Sequence, residues 1–344
     1  MTKVVLDGVG GDHAPAEAVA GVKLALDRGF VRPDDLLLTG PRETLRAALV
    51  AGGLDADSIA IEDAPDLLTS ADSPIDAAKK KPRNSIAVGV QLVKEGRAGS
   101  FISAGSTGTV VAAAQLGLRR LEGIRKPAIA AIIHGEKNPF LVLDVGANAQ
   151  VKAHDLAQFA LMGAAYYAGT FGGGSSGIER PRVGILNIGS EELKGNPLVK
   201  EARALIKQLP IEFHGNIEGV EIFAGECHVV VTDGFTGNVL LKASEGAAEF
   251  LLRNFQAAMR RAGVADQLIG QVFADVMPRV DFSEYGGALL LGVEGIVTIC
   301  HGRSQAPAFA NAIRFALRAL DGNVNQHIVQ AARQMTLPAA DTNG

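Results

Sequence analysis

The chain reads as an α/β protein in which strands feed helices through short polar loops. Three observations predict this. An apolar run ending in Gly, Asp, Asn, Ser or Thr and followed by a helical pattern occurs at 101–112, 140–148, 183–196 and 229–238. The 41 glycines among 344 residues, well above the usual ~7%, cluster at these strand ends without a fixed period. With 47% hydrophobic residues, the chain can bury one large core or two halves sharing one sheet system.

Val229-Val230-Val231 is a short β-branched strand signal, broken by Thr232-Asp233-Gly234-Phe235-Thr236-Gly237-Asn238. Val239 to Lys242 then leads toward a helix expected over 244–261. In open α/β sheets, ligands sit at such strand–helix junctions, where loop N–H groups and the helix terminus favour an anion. The structural alternative makes Asp233 and Thr236 a cap and turn.

Taken in order, Val4-Val5-Leu6 is a first strand ending at Gly10-Gly11-Asp12-His13, before a helix to about Arg28. Asp12 serves equally as a cap, and His13 as a turn residue bonded to its own backbone. Leu36 to Gly40 and Ile59 to Ile61 are further strands, with a helix through Leu49 between them. The stretch 69–87 is polar and carries Lys79-Lys80-Lys81-Pro82-Arg83, either a solvated face or a receiver of phosphate or an acidic carrier. A helix begins at Ser85.

Phe101-Ile102-Ser103 is a strand that runs through Gly105-Ser106-Thr107-Gly108 into an Ala-rich helix. The connector at 121–127 carries Arg125 and Lys126, which could face the same pocket; Ala128 to Ile133 is a strand. Phe140 to Leu143 ends at Asp144-Val145-Gly146-Ala147-Asn148, before a helix from about Lys152 to Tyr167. Gly172 to Gly177 reads as a flexible loop near the boundary of the halves. Val183 to Ile188 leads through Lys194-Gly195-Asn196 to a helix over 197–208. The segment 213–221 is mostly polar.

The helix at 244–261 and a second one after a turn at Gly263, with Leu268, Ile269, Val272, Phe273 and Val276, carry apolar stripes, read as core or dimer interface, or as a membrane-touching pair helped by Arg260 and Arg261. A last strand over 296–299 runs into His301-Gly302-Arg303, and the last secure helix covers 306–320. The tail after Met335 is expected to fray.

Several classes are excluded or disfavoured. Net charge is −4, without the basic field that duplex nucleic acid requires. The N-terminus enters a strand directly, and no apolar run reaches the roughly eighteen residues of a membrane span. A soluble cytoplasmic protein is the expectation. Cys227 and Cys300 read as buried small residues. No GxGxxG fingerprint at the first junction, GxxxxGK[ST] loop or HExxH motif is present, and there is no GxSxG elbow, the string Gly173-Gly174-Ser175-Ser176-Gly177 being part of a Gly-rich loop. No cofactor and no metal are expected. Phosphate handling without a nucleotide motif points to inorganic phosphate or an acyl phosphate.

The motifs Gly10-Gly11-Asp12-His13-Ala14-Pro15, Ser103-Ala104-Gly105-Ser106-Thr107-Gly108, Asp144-Val145-Gly146-Ala147-Asn148, Lys194-Gly195-Asn196 and Thr232 to Asn238 are spread through nearly the whole chain, with Tyr285-Gly286-Gly287-Ala288 and His301-Gly302. In these the chain resembles the PlsX-type family of bacterial phosphate acyltransferases. It departs from the family pattern at Val9, Ser106 and Val220, where Met, Asn and Arg are usual.

The resemblance implies a three-layer α/β/α fold like the isocitrate/isopropylmalate dehydrogenases and related to phosphotransacetylase. It implies one unit over 1–344 made of two joined halves, and a homodimer. The implied reaction moves a long-chain acyl group from acyl carrier protein to orthophosphate. The acyl phosphate then serves a membrane glycerol-3-phosphate acyltransferase, with peripheral membrane contact through the segment at about 244–277. Phosphate itself is the expected nucleophile, so catalysis is mainly positioning.

The loops at 10–13, 105–108, 144–148, 194–196 and 233–238 are expected to converge. His13, Lys194, Asn148 and Asp233 are the candidate catalytic residues, with Lys194 as principal cation and His13 as proton shuttle. Gly10, Gly11, Asp12, Ser106, Thr107, Gly108, Asp144, Gly195, Asn196, Thr236, Gly237 and Asn238 are the candidate phosphate and substrate contacts. Lys79, Lys80, Lys81 and Arg83, or Arg260 and Arg261, are the candidate docking patches for the acidic carrier. A phosphotransacetylase acting on acyl-CoA, an NAD-dependent decarboxylating dehydrogenase and a non-enzymatic membrane organiser are the competing classes.

Overall fold

The computed structural model describes residues 2–69, 72–172, 178, 180–280 and 282–335. The chain begins with β1 (Thr2–Asp7), α1 (Ala16–Asp27), β2 (Leu36–Gly40), α2 (Arg42–Ala51) and β3 (Ala60–Asp63). It continues with α3 (Pro74–Lys80), α4 (Ser85–Lys94), β4 (Ala98–Ser103), α5 (Thr107–Gly117), β5 (Ala128–Ile133) and β6 (Phe140–Leu143). Then come α6 (Ala153–Phe171), β7 (Arg182–Asn187), α7 (Pro197–Ile206), β8 (Glu212–Glu218) and β9 (Val229–Val231). The chain closes with α8 (Gly234–Arg261), α9 (Asp266–Val280), β10 (Ala288–Leu291), β11 (Ile296–Ile299), α10 (Ala306–Asp321) and α11 (Val324–Gln334).

These strands form one continuous sheet in the order β3-β2-β1-β4-β11-β10-β5-β6-β9-β7-β8. Period-two alternation sends residues to both faces. Val4, Leu6, Val229 and Val231 enter one apolar cluster, whereas Val5 and Val230 enter the other. The first cluster is closed by α1, α6 and α10, through side chains such as Val22, Tyr166 and Phe309. The second is closed by α4 and α5, through Ile86, Val90 and Val110. The result is helix, sheet, helix in three layers.

Strand sense changes in the middle of this sheet. The pairs β11–β10, β10–β5 and β5–β6 are antiparallel, whereas all pairs outside them are parallel. Three reversals leave β6, β9, β7 and β8 running opposite to β3, β2, β1, β4 and β11. The loops after β1, β4 and β11 therefore lie at one edge, called here the first. Those after β6, β7 and β9 lie at the opposite, second edge.

Several local expectations are corrected. The helix expected from 244 begins at Gly234 and runs 28 residues, because Asp233 caps it. Asp233 accepts from Thr236 N at 2.8 Å and from Thr236 Oγ1 at 2.7 Å. Most of edge strand β8 falls in the polar stretch 213–221; it pairs with β7 alone and leaves Glu212 and His214 exposed. A short helix, α3, lies within the polar stretch 69–87. A further helix, α11, follows the one expected to be last, buried through Val324, Ile328 and Ala332. Most of the Gly172–Gly177 loop and the tail beyond 335 lie outside the described residues.

Candidate active site

The loop after β6 is built around one carboxylate. Asp144 is wholly buried. Its Oδ1 accepts from the N–H groups of Ile129, Gly146 and Ala147 at 3.0, 3.0 and 2.9 Å. Its Oδ2 accepts from Asn148 N at 2.7 Å and Asn148 Nδ2 at 2.9 Å. Asn148 Nδ2 also donates to Pro127 O at 2.7 Å. Both residues thus hold the loop, and Asn148's amide hydrogens are committed to it. The start of α8 packs directly onto this turn. Gly234 N donates to Asn148 O at 2.8 Å, and Asn238 Nδ2 donates to Val145 O at 2.9 Å. A side chain at Gly237 would collide with the Asp144 carbonyl, which explains a glycine inside a helix.

Also at the second edge, Lys194 is exposed and Asn196 caps α7, accepting from Val199 N at 2.9 Å. Gly195, at φ +97°, packs against Asn187. None of these three lines the cavity described below.

At the first edge, Asp7 is wholly buried and accepts from Ser103 Oγ at 2.7 Å and Val9 N at 3.1 Å. Burial pushes its carboxyl above the usual range, outweighing hydrogen bonds from Ser103, Ser85, Val9 and Gly10. The turn above it joins the loop after β11, where Asp12 N donates to Gly302 O at 2.7 Å. Gly11 adopts φ +106° against Gly302 and Ala104, a close approach suited to glycine. His13 is exposed. Ser106 precedes α5 without a side-chain cap bond, and Gly108 lies in its first turn.

A cavity of about 580 Å³ runs along α8 and connects the two edges. Thr107 and His301 line it on the first-edge side, Val145 and Asn238 on the second. Between them its wall is apolar, with Ile129, Leu241 and Leu252 among the contributors. The loops expected to converge on one point are therefore divided between two edges, with Thr107 and Asn238 sharing the cavity.

The cavity also exposes a constellation that sequence reasoning missed. Lys242 Nζ lies 2.9 Å from Glu245 Oε2 and 2.6 Å from His301 Nε2. His301 Nε2 stands 3.6 Å from Glu245 Oε2, beyond hydrogen-bond length. In the Nδ1–H tautomer of the ring, Nε2 accepts from the lysine ammonium. Burial would raise the Glu245 carboxyl, but the contacts of His301 and Lys242 outweigh it and hold the group at about 2. One turn further, Glu249 pairs with Arg303 at 2.9 Å. The i, i+3 spacing of Lys242 and Glu245 was a legible signal for one helix face. Their meeting with a histidine 59 residues away was not.

Cys300 also borders the cavity, but burial pushes its thiol up to about 12, which makes a poor nucleophile. The connector cations turn elsewhere: Arg125 and Lys126 stand 3.9 and 3.5 Å from the Asp155 carboxylate. Of the basic patches, Lys81 pairs with Asp72 at 2.6 Å, Arg83 with Asp63 at 3.2 Å and Arg260 with Asp266 at 3.1 Å. Lys79, Lys80 and Arg261 are exposed. Among the described residues, no group of three His, Cys, Asp or Glu could hold a metal ion. No described helix is long and apolar enough to cross a membrane.

Comparison with known proteins follows the same lines. The model of the fatty acid synthesis protein family matches residues 2–327. A phosphate acyltransferase of Heliobacterium modesticaldum is 41% identical over 334 residues, covering 95% of this chain and 97% of its own. One from Clostridium tetani is 38% identical over 329 residues, covering 95% and 96%. Among solved structures, a phosphotransacetylase from Streptococcus pyogenes superposes with a TM-score of 0.60 at 19% identity, covering 93% of this chain and 94% of that one. A branched-chain phosphotransacylase from Enterococcus faecalis gives 0.54 at 15%, covering 93% and 100%. These two likenesses bear out the phosphotransacetylase-related fold.

Proposed function

The chain belongs to the fatty acid synthesis protein family, the PlsX-type phosphate acyltransferases, and from that premise we propose that it moves a long-chain acyl group from acyl carrier protein to inorganic phosphate. The observation that carries this reading is the cavity along α8. It is apolar along Ile129, Leu241 and Leu252 and ends in a Lys–His–Glu cluster. An acyl chain fits the first part and an anion the second. Phosphate attacks the thioester carbonyl directly, so no acyl-enzyme forms, in keeping with the raised Cys300 thiol. The product acyl phosphate passes to a membrane glycerol-3-phosphate acyltransferase.

Catalysis on this reading rests on position and on donors aimed at the developing oxyanion. Asp144 and Asp233 act as scaffolds, because their oxygens are taken by the turn and the helix start. Thr107 and Asn238 face the substrate. Lys194 is a second-edge cation for the phosphate or the carrier's prosthetic arm. The acidic carrier docks on the exposed cations Lys79 and Lys80 beside Arg83, or on Arg261 beside Arg260. Charge reversal at the true patch weakens carrier binding most at low salt.

The helix pair α8–α9 leaves Phe250, Leu251, Phe255 and Leu268 more than half exposed. Covering the exposed half of each such side chain is worth roughly 1 kcal/mol. We assign this face to a second copy of the chain, with peripheral membrane contact at its tip. Light scattering and vesicle flotation test the two.

The deciding experiment incubates the protein with palmitoyl-acyl carrier protein and phosphate, following free carrier and acyl phosphate by mass spectrometry. Stoichiometric, phosphate-dependent appearance of both is expected. Thioester loss independent of phosphate overturns the reading. Equal turnover of short acyl-CoA replaces it with a phosphotransacetylase activity.

A further inference from the structure

Three features make the cluster at Lys242 more than a packing device. Lys242 and Glu245 would satisfy one another as a simple i, i+3 pair, yet a histidine from another element is brought to the same ammonium at 2.6 Å. The lysine and histidine side chains are each about half exposed, and the exposed part faces the cavity. An ammonium has three hydrogens. Glu245 and His301 take two, and among the described residues no acceptor meets the third.

We propose that Lys242 is the phosphate seat and His301 the proton relay of this enzyme, with Glu245 as the positioning residue that holds the lysine. The proposal rests on the acyl-transfer reading above and names the groups that perform it. Glu245 fits that part because it is the most buried member of the cluster and stays ionised beside the lysine. It keeps Nζ on the cavity side of α8 through a charge-assisted bond.

When hydrogenphosphate enters, Lys242 turns its bond from His301 Nε2 to a phosphate oxygen. Nε2 is then free to accept from the phosphate O–H. An unprotonated phosphate oxygen forms the new C–O bond at the thioester carbonyl, and the C–S bond breaks. The phosphate proton passes to Nε2 and from there to the departing sulfur. The products are the acyl phosphate dianion and a free thiol, so atoms, charge and protons balance without a cofactor. His13 lies on the neighbouring turn and does not line the cavity, which leaves His301 as the imidazole placed for this transfer.

The test compares wild type with Lys242→Met, His301→Gln and His301→Ala, using palmitoyl-acyl carrier protein and inorganic phosphate. Lys242→Met is expected to raise the KM for phosphate at least about tenfold, leaving the KM for the carrier near wild type. His301→Gln keeps a polar partner for the lysine but cannot relay a proton. Its kcat is expected to fall about a hundredfold or more, with the phosphate KM little changed. His301→Ala is expected to lose a similar factor and to recover in part with added imidazole. Glu245→Gln shifts the phosphate KM in the direction of Lys242→Met, by less.

Phosphate binding followed by 31P line broadening gives a readout independent of turnover. An unchanged phosphate KM and unchanged binding in Lys242→Met overturns the seat. Wild-type kcat in His301→Gln, or a defect confined to its phosphate KM, overturns the relay. A wild type that binds phosphate through Lys242 but transfers no acyl group supports the seat and overturns the acyl-transfer reading.

Discussion

Asp7 ends β1 and Asp144 directly follows β6, both wholly buried, and their surroundings differ in kind. Asp144 faces four backbone N–H groups and the Asn148 carboxamide, groups that here can only donate. Asp7 is met by two serine hydroxyls, those of Ser103 and Ser85, besides Val9 and Gly10. A hydroxyl donates to a carboxylate or accepts from a protonated acid. Asp7 is therefore free to follow burial and rise, whereas the Asp144 turn needs an acceptor on both oxygens. Two similar aspartates at strand ends yield one rigid turn and one adaptable one.

The largest effect is expected at the rigid turn. Asp144→Ala orphans several buried donors at once and should cost at least about 3 kcal/mol, read by urea unfolding, together with loss of activity. Gly237→Ala follows, since its methyl group meets the Asp144 carbonyl oxygen and neither backbone can retreat. A cost toward the upper end of about 1–3 kcal/mol is expected for such overpacking. A neutral Gly237→Ala would show that α8 slides on the turn and that the rigidity is overstated.

Smaller effects belong to the adaptable turn. Ser103→Ala removes the donor to Asp7 and the acceptor of Gly105 N, and should cost about 1 kcal/mol. Asp7→Asn should cost least at neutral pH, and its sign with pH is fixed. The folded carboxyl is raised, so its stabilising contribution is full below the ordinary value near 3.8 and is lost as pH rises through the folded value. The variant should accordingly gain on wild type between acid and neutral pH in paired urea titrations. A difference that grows in the opposite direction would mean that Asp7 is held as an anion.

Much of this was legible residue by residue. The β-branched run Val229–Val231 and the cap at Asp233 follow from side-chain shape and local hydrogen bonding, which act over a few positions. Segment β8 was hidden because a half-exposed edge strand has a polar sequence. The start of α8 was hidden because Gly234 and Gly237 resemble loop residues until Asp144 is known to press against them. His301 was visible as a strand end, but nothing in its neighbourhood names Lys242 as its partner.

What the sequence by itself determined is the α/β class, the recurring strand–loop–helix units and the family motifs, all written in periodicity and turn chemistry over short stretches. What only the tertiary structure decided is which of those loops share a site. The antiparallel pairings β11–β10, β10–β5 and β5–β6 place the loops of the two halves on opposite edges. Strand sense is set by pairing between distant segments, which no local pattern encodes. Helix α8 spans the gap, and the cavity it covers brings Thr107, Asn238, Lys242 and His301 into one wall.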